Sequence, residues 1–238
     1  MAIGKSCSRI DAYAKVTGQA KYTEDLIPNN ALVGKVVHST ISNGWVKHID
    51  VSQALELPGV EKIVTCFEVP DLQFPTAGHP WSTDPKHQDI ADRKLLNQRV
   101  RFYGDDIAAI IARDEITAER ACQLIKIEYE VLPPSLTIEE AMQAGVTPLH
   151  EESPSNILKY SNRCLGDYEA ALQEPGLRLV EGRFETQVVQ HCHLEKPISF
   201  AYVEAGRIVI VSSTQIPHIV RRVVGQALGI PWGKVRDR

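Results

Sequence analysis

Residues 106–132 constrain the fold more than any other stretch of the chain. The run "DIAAIIAR" (106–113) is continuously apolar between charged ends, the pattern of a strand covered on both faces. It is followed by "DEITAERACQLI", which opens on acidic residues and spaces Ile116, Cys122 and Ile125 at roughly helical intervals. "IKIEYEVL" (125–132) then alternates strictly, with Ile125, Ile127, Tyr129 and Val131 on one side and Lys126, Glu128 and Glu130 on the other. The expectation is strand, helix, strand. "PPS" ends the unit, and "TIEEAMQAG" reads as a short helix closed by Gly145.

Upstream, "ALVGKVVHSTI" (31–41) and "EKIVTCF" (61–67) are strand-like. Between them lie the turn "SNGW" and a segment that passes from a strand to a helical turn at Ala54-Leu55. Residues 70–94 carry four prolines and little periodicity, which predicts a long surface loop. Downstream, residues 147–163 are polar and proline-containing, a linker between domains. A helix starts in "LGDYEAALQ", and strands are expected at 178–190, 198–203 and 207–212. A final helix runs from Pro217 to Leu228 and stops at Gly229. On it Ile219, Val223, Val224 and Leu228 share one face, away from Arg221, Arg222 and Gln226.

With 238 residues, 43% hydrophobic and 24% charged, the chain has material for one large or two small domains. The net charge is −4 and no Lys/Arg block is long enough to follow a phosphate backbone, so no nucleic-acid partner is expected. The one compact basic cluster, Arg221-Arg222, suits the wet face of a helix. The N-terminus has no apolar leader, and the longest apolar run falls far short of the ~18 residues of a spanning helix, so the expectation is a cytoplasmic chain with no membrane partner. Five cysteines stand singly with no CxxC pair, which argues against a disulfide framework, a structural zinc site or a cysteine-held iron–sulfur cluster in this chain. They are expected to be reduced and mostly buried.

The most ligand-like string is "QHCHLE" (190–195). On a strand His191 and His193 point to one side and Glu195 continues the row, but no third nitrogen or sulfur ligand has a recognisable spacing, which favours ordinary polar residues at a strand end. His79, Trp81 and His87 in the long loop could line a pocket or simply stand at its exposed tip. Neither GxSxG, GxGxxG nor GxxxxGK[ST] occurs. Gln215, in "SSTQIPHI" at a strand-to-helix junction, offers an amide donor and acceptor beside the free amides of a helix N-terminus, a place suited to an oxygen-rich group. The plain reading of the same stretch is a helix cap on Ser213 or Thr214.

Taken in order, "AKVTGQAKYTEDL", "LPGVEKIVT", "VRFYGDDIAAIIARDEITAERACQLIKIEYEVLP", "TPLHEE", "GDYEAAL", "VEGRFETQVVQHCHLE" and "IVSSTQIPHIVRRVVGQALGIPWGKVR" resemble the molybdenum-binding large subunit of the xanthine dehydrogenase and aldehyde oxidase family, most closely its bacterial xanthine dehydrogenase members. The resemblance implies an α+β fold, with an α/β-hammerhead domain over 1–135, a linker over 136–163 and the N-terminal part of a molybdopterin-binding domain over 164–238. It implies an oxidoreductase that hydroxylates purines or aldehydes with water-derived oxygen at a molybdenum–molybdopterin centre. Electrons would pass to iron–sulfur clusters and FAD, on a 2Fe–2S subunit and an FAD-binding subunit. Gln215 matches the glutamine whose amide hydrogen-bonds an oxygen on the molybdenum without ligating the metal, and the "HxHLE" row matches a signature for which a structural role is implied.

This chain departs from the family's pattern in three ways. The family's GGGFG-type loop is absent, since no two glycines are adjacent, and so are the later arginine and the general-base glutamate. Thr40 and Asn43 stand where the family usually shows a proline and a histidine. The chain is therefore expected to be a truncated or split subunit that needs the remaining molybdopterin-binding polypeptide and has no catalytic residue of its own. The alternatives are a catalytically silent hammerhead interaction module, a gene product without activity, or a metal protein using His191 and His193.

Overall fold

The structure, a computed structural model, describes residues 3–75, 91–151, 153–157 and 162–237. Its elements, in chain order, begin with α1 (Ala12–Val16), β1 (Val33–His38), β2 (Gly44–Asp50), α2 (Ser52–Leu55) and β3 (Val60–Thr65). Next come β4 (Phe74–Pro75), β5 (Ala91–Arg93), β6 (Arg99–Val100), β7 (Asp106–Ala112), α3 (Glu115–Leu124), β8 (Lys126–Val131) and α4 (Ile138–Ala141). The series ends with α5 (Tyr168–Leu172), β9 (Ser199–Glu204), β10 (Arg207–Ser212), α6 (Pro217–Leu228) and β11 (Val235–Asp237). Two compact units result, one formed by Met1–Pro134 with Glu195–Arg238, the other by Ser135–Leu194.

In the first unit β7 is the central strand of the sheet β1-β7-β3, antiparallel to both neighbours. Its apolar run explains that position: Ile107, Ala108, Ile110 and Ala112 are fully buried, and each isoleucine contributes about 1.5–3 kcal/mol by leaving water. α3 packs across β1 and β7. Asp114 starts it by accepting the Thr117 N–H, and its inward face is Ala118 and Ala121, small enough for close approach. Ile116, expected to face inward, is exposed; the alanines already fill the narrow gap between helix and sheet.

A second sheet, β6-β2-β8, is also antiparallel. On β8 the expected division holds for Ile127 and Tyr129, half-buried on the inner face, but Val131, expected in the same row, is exposed at the end of the strand. Where β2 begins, Gly44 is required by close approach: a methyl group there would overlap the Glu130 carbonyl oxygen. The two sheets are laced by buried polar groups. Asn43 donates from Nδ2 to the Pro133 carbonyl (2.6 Å) and accepts from Arg99 Nη1 (2.6 Å), while Arg99 also donates to the Gly44 carbonyl. Ser39 Oγ accepts the N–H groups of Gly104 and Asp105. The Asp105 carboxylate accepts from Asn97 (2.8 Å) and from the Arg101 and Asp106 amides. Burial pushes its pKa up, opposed by those hydrogen bonds. Thr40 and Asn43 thus differ in weight: Asn43 is enclosed in this network, whereas Thr40 is exposed.

The third sheet is β11-β10-β9, with β10 antiparallel to β9 and parallel to β11, and α6 packs against β11. Pro217 occupies the first turn of α6, and Gly229 ends it in the left-handed conformation at φ 63°. Its buried face is Ile219, Arg222 and Gly225. Arg222 is therefore not on the wet face, and Leu228, expected in the apolar stripe, is exposed. The cause is tertiary: α6 turns the 219–222–225 row inward, and the long arginine stem packs with it.

The second unit contains α4, opened by a reciprocal Thr137–Glu140 capping box, and α5, capped by Asp167. Asn156 ties its turns together through the Leu149 N–H and the Ala141 carbonyl. The strand expected at 178–190 is not formed. Alternation is present, but a strand exists only as part of a ladder, and no described residue pairs with this segment.

Two further expectations are corrected. The loop over 70–94 is not structureless at its ends, because β4 and β5 pair antiparallel there; His79, Trp81 and His87 lie outside the described residues. Cys7, Cys164 and Cys192 are exposed, and only Cys66 and Cys122 are partly buried, since the single cysteines fall outside the core rows. Burial raises the Cys66 thiol to about 11. No helix among the described residues is long and apolar enough to cross a membrane.

Candidate functional site

Gln215 stands where β10 ends and α6 begins. The residues around it use their hydroxyls locally. Ser213 Oγ accepts the Ile198 N–H at 3.0 Å and its own N–H donates to the Ile198 carbonyl, which closes the β9–β10 ladder. Thr214 Oγ1 accepts the Ile216 N–H at 3.1 Å in a tight side-chain turn. The plain reading of this stretch anticipated a helix cap on one of them, and neither supplies it: the N-cap is Ile216, and no side chain bonds the first-turn amides. With its neighbours committed, the Gln215 side chain is exposed and makes no hydrogen bond to a described residue.

This donor set is selective. At the start of α6 Pro217 has no N–H, the Ile219 N–H bonds the Ile216 carbonyl and the Ile216 N–H is taken by Thr214, so the Gln215 amide is the principal donor, and with the helix dipole adding partial positive charge it favours an oxygen-rich, electron-rich group. No group of three His, Cys, Asp or Glu residues fit to hold a metal ion occurs among the described residues.

The histidine row is not assembled as a strand face. His191 and His193 stack with ring centroids 5.1 Å apart, both exposed, and Cys192 between them takes φ 51°. Glu195 is engaged elsewhere: its Oε1 accepts the Thr23 N–H at 3.0 Å and the Thr23 hydroxyl at 2.9 Å. This clasp, across 172 residues of chain, ties the N-terminal segment to the residue leading into β9. Beside it lies a cavity of about 510 Å³ lined by Lys21, Thr23, Leu26, Glu195, Phe200 and Tyr202 among others. Sequence reasoning missed the cavity; the one local signal was the spacing of Phe200 and Tyr202, two apart and stacked on one face of β9.

Two domain families account for this arrangement. Residues 17–133 match the a/b hammerhead domain of aldehyde oxidase and xanthine dehydrogenase, and residues 149–238 match the molybdopterin cofactor-binding domain. The chain belongs to the aldehyde oxidase and xanthine dehydrogenase family. Within it, the chain is 48% identical over 229 residues to the xanthine dehydrogenase molybdenum-binding subunit of Escherichia coli O157:H7, covering 96% of this chain and 30% of that protein. Quinoline 2-oxidoreductase from Pseudomonas putida 86 superposes with a TM-score of 0.82 at 26% identity, over 100% of this chain and 30% of its own. Aldehyde oxidoreductase from Desulfovibrio gigas gives 0.79 at 27% identity, over 95% and 25%. The chain spans under a third of the length of each of these proteins.

Proposed function

We propose that this chain is the N-terminal portion of the molybdenum-binding subunit of a xanthine dehydrogenase-type hydroxylase acting on purines such as hypoxanthine or xanthine, or on related N-heterocycles or aldehydes. The observation that carries the reading is the 48% identity to the Escherichia coli molybdenum-binding subunit, sustained over 96% of the chain. The hammerhead domain would occupy 1–135, the connection 136–163 and the start of the cofactor domain 164–238. The chain would work in the cytoplasm, beside the remaining molybdopterin-binding polypeptide, an FAD-binding subunit and a 2Fe–2S subunit.

When bound, a molybdenum–molybdopterin group supplies the oxidation that places water-derived oxygen on a substrate carbon. Gln215 would donate its amide N–H to an oxygen of that group and so orient it, as a residue that tunes a metal centre without ligating it. The N-terminus of α6 adds the partial positive charge of its dipole at the same junction. Glu195, by holding Thr23, fixes the chain before β9 rather than moving a proton. A general base must come within hydrogen-bond reach of the proton it takes; in this reading that base belongs to the remaining polypeptide, and the chain alone does not turn over.

The test is molybdenum analysis by inductively coupled plasma mass spectrometry, on the chain alone and after co-expression with the remaining polypeptide. We expect substoichiometric metal in the first sample, and close to one molybdenum per complex with hydroxylase activity in the second. A complex without metal or activity would favour the silent hammerhead module instead.

A further inference from the structure

The cavity of about 510 Å³ beside the Thr23–Glu195 clasp has the size of a small-molecule site, for which about 300–1,000 Å³ is usual. Its aromatic lining comes from the alternation of β9. Phe200 and Tyr202 are two residues apart and so share a face; both are half-buried, and their rings stack with centroids 6.3 Å apart and planes inclined by 20°. Val211, the partner of Phe200 in the β9–β10 ladder, lines the same cavity, and Leu26 and Pro28 add apolar wall from the N-terminal segment. Such a lining favours a flat ring. Two charges of opposite sign stand on it. Glu195 is held in place, because its Oε1 accepts both the N–H and the hydroxyl of Thr23, and its other oxygen has no partner among the described residues. The Lys21 ammonium has none among them either.

We propose that this cavity binds a flat heterocyclic lactam, its ring against Phe200 and Tyr202, its N–H donated to the unused oxygen of Glu195 and its carbonyl accepting from Lys21. The charges select this class. An aromatic carboxylate would pair with Lys21 and be repelled by Glu195, and an aromatic cation would meet the reverse. A neutral ring with adjacent N–H and C=O groups gives the carboxylate a donor and the ammonium an acceptor at once. Binding here draws on no molybdenum chemistry, so its failure would leave the function proposed above standing.

The experiment is isothermal titration calorimetry on the purified protein that carries this sequence, with 1-isoquinolone as the probe. Three relatives of the probe serve as controls: its N-methyl derivative, which lacks the N–H, the anion 1-naphthoate and the cation N-methylisoquinolinium. The lactam should bind saturably at one site per chain, and each control about tenfold or more weakly. Glu195→Gln keeps an oxygen for the Thr23 clasp but can present an NH₂ group to the ligand's N–H, and Lys21→Met removes an exposed ammonium outside the clasp. Each should hold the melting temperature near the parent's and weaken lactam binding about tenfold. Absence of saturable binding, equal affinity for the N-methyl derivative, tighter binding of either ion, or lactam affinity unchanged in Lys21→Met and in a Glu195→Gln protein of parental melting temperature would overturn the proposal. Should Glu195→Gln melt early, Lys21→Met and the three controls decide it.

Discussion

Replacing Asn43 with alanine strips two buried partners at once. Arg99 loses the 2.6 Å bond from Nη1 to Asn43 Oδ1 and keeps its bond to the Gly44 carbonyl, while the Pro133 carbonyl loses the donor it has in Asn43 Nδ2. Asn43 is 2% exposed, so bulk water does not substitute for either contact. A hydrogen bond to a charged group contributes about 1.5–3 kcal/mol, and an unsatisfied buried carbonyl costs about 1–3 kcal/mol. Allowing for the bond Arg99 retains, Asn43→Ala should destabilise the hammerhead region by roughly 3 kcal/mol. At a urea dependence of about 2 kcal/mol per molar, the midpoint falls by roughly 1.5 M. Trp45 reports the site directly, since the Arg99 guanidinium lies 5.5 Å from its ring centroid; urea unfolding followed by tryptophan fluorescence is the assay. Thr40→Ala, on the same turn but exposed, should change stability by less than about 0.5 kcal/mol. Equal effects of the two substitutions, or an Asn43→Ala shift below about 0.5 kcal/mol, would refute the network's assigned role.

Three further outcomes are expected. Ile107→Ala, at the fully buried centre of β7, should cost about 2–5 kcal/mol in chemical denaturation, whereas Ile116→Ala on the exposed side of α3 should be nearly neutral. The Asp114 carboxyl is held below its usual range, chiefly by the Thr117 N–H. Its contribution is therefore present above the unfolded carboxylate value and lost as pH falls through the lower folded one, so Asp114→Ala should lower the melting temperature near neutral pH and differ little from the parent in strong acid. A colorimetric thiol reagent at neutral pH should label Cys7, Cys164 and Cys192 rapidly and Cys66 last, because Cys66 is partly buried with its thiol raised to about 11.

The β7–α3–β8 unit was legible because its signals are local: an unbroken apolar run, an N-capping aspartate and a strict alternation each name an element without reference to the rest of the chain. The same logic failed at 178–190, where alternation was present and the partner strands were not. Arg222 misled for another reason. A charged residue reads as solvent-facing from sequence, and only the packing of α6 onto β11 turns it inward. At the candidate site, the position of Gln215 between β10 and α6 follows from neighbouring residues, and so could be read in advance. The roles of its neighbours could not: Thr214 turns back to Ile216 instead of capping the helix. The Thr23–Glu195 clasp joins residues 172 apart, beyond the reach of any local pattern.

The most direct measurement is made on the assembled complex proposed above, loaded with molybdenum, comparing the parent with Gln215→Ala at matched metal content. If the amide orients the cofactor by hydrogen bonding without ligating its metal, molybdenum per enzyme stays unchanged while kcat falls by roughly 10–100-fold, and the Mo(V) paramagnetic resonance spectrum shifts. An unchanged kcat with an unchanged spectrum would contradict the role assigned to Gln215.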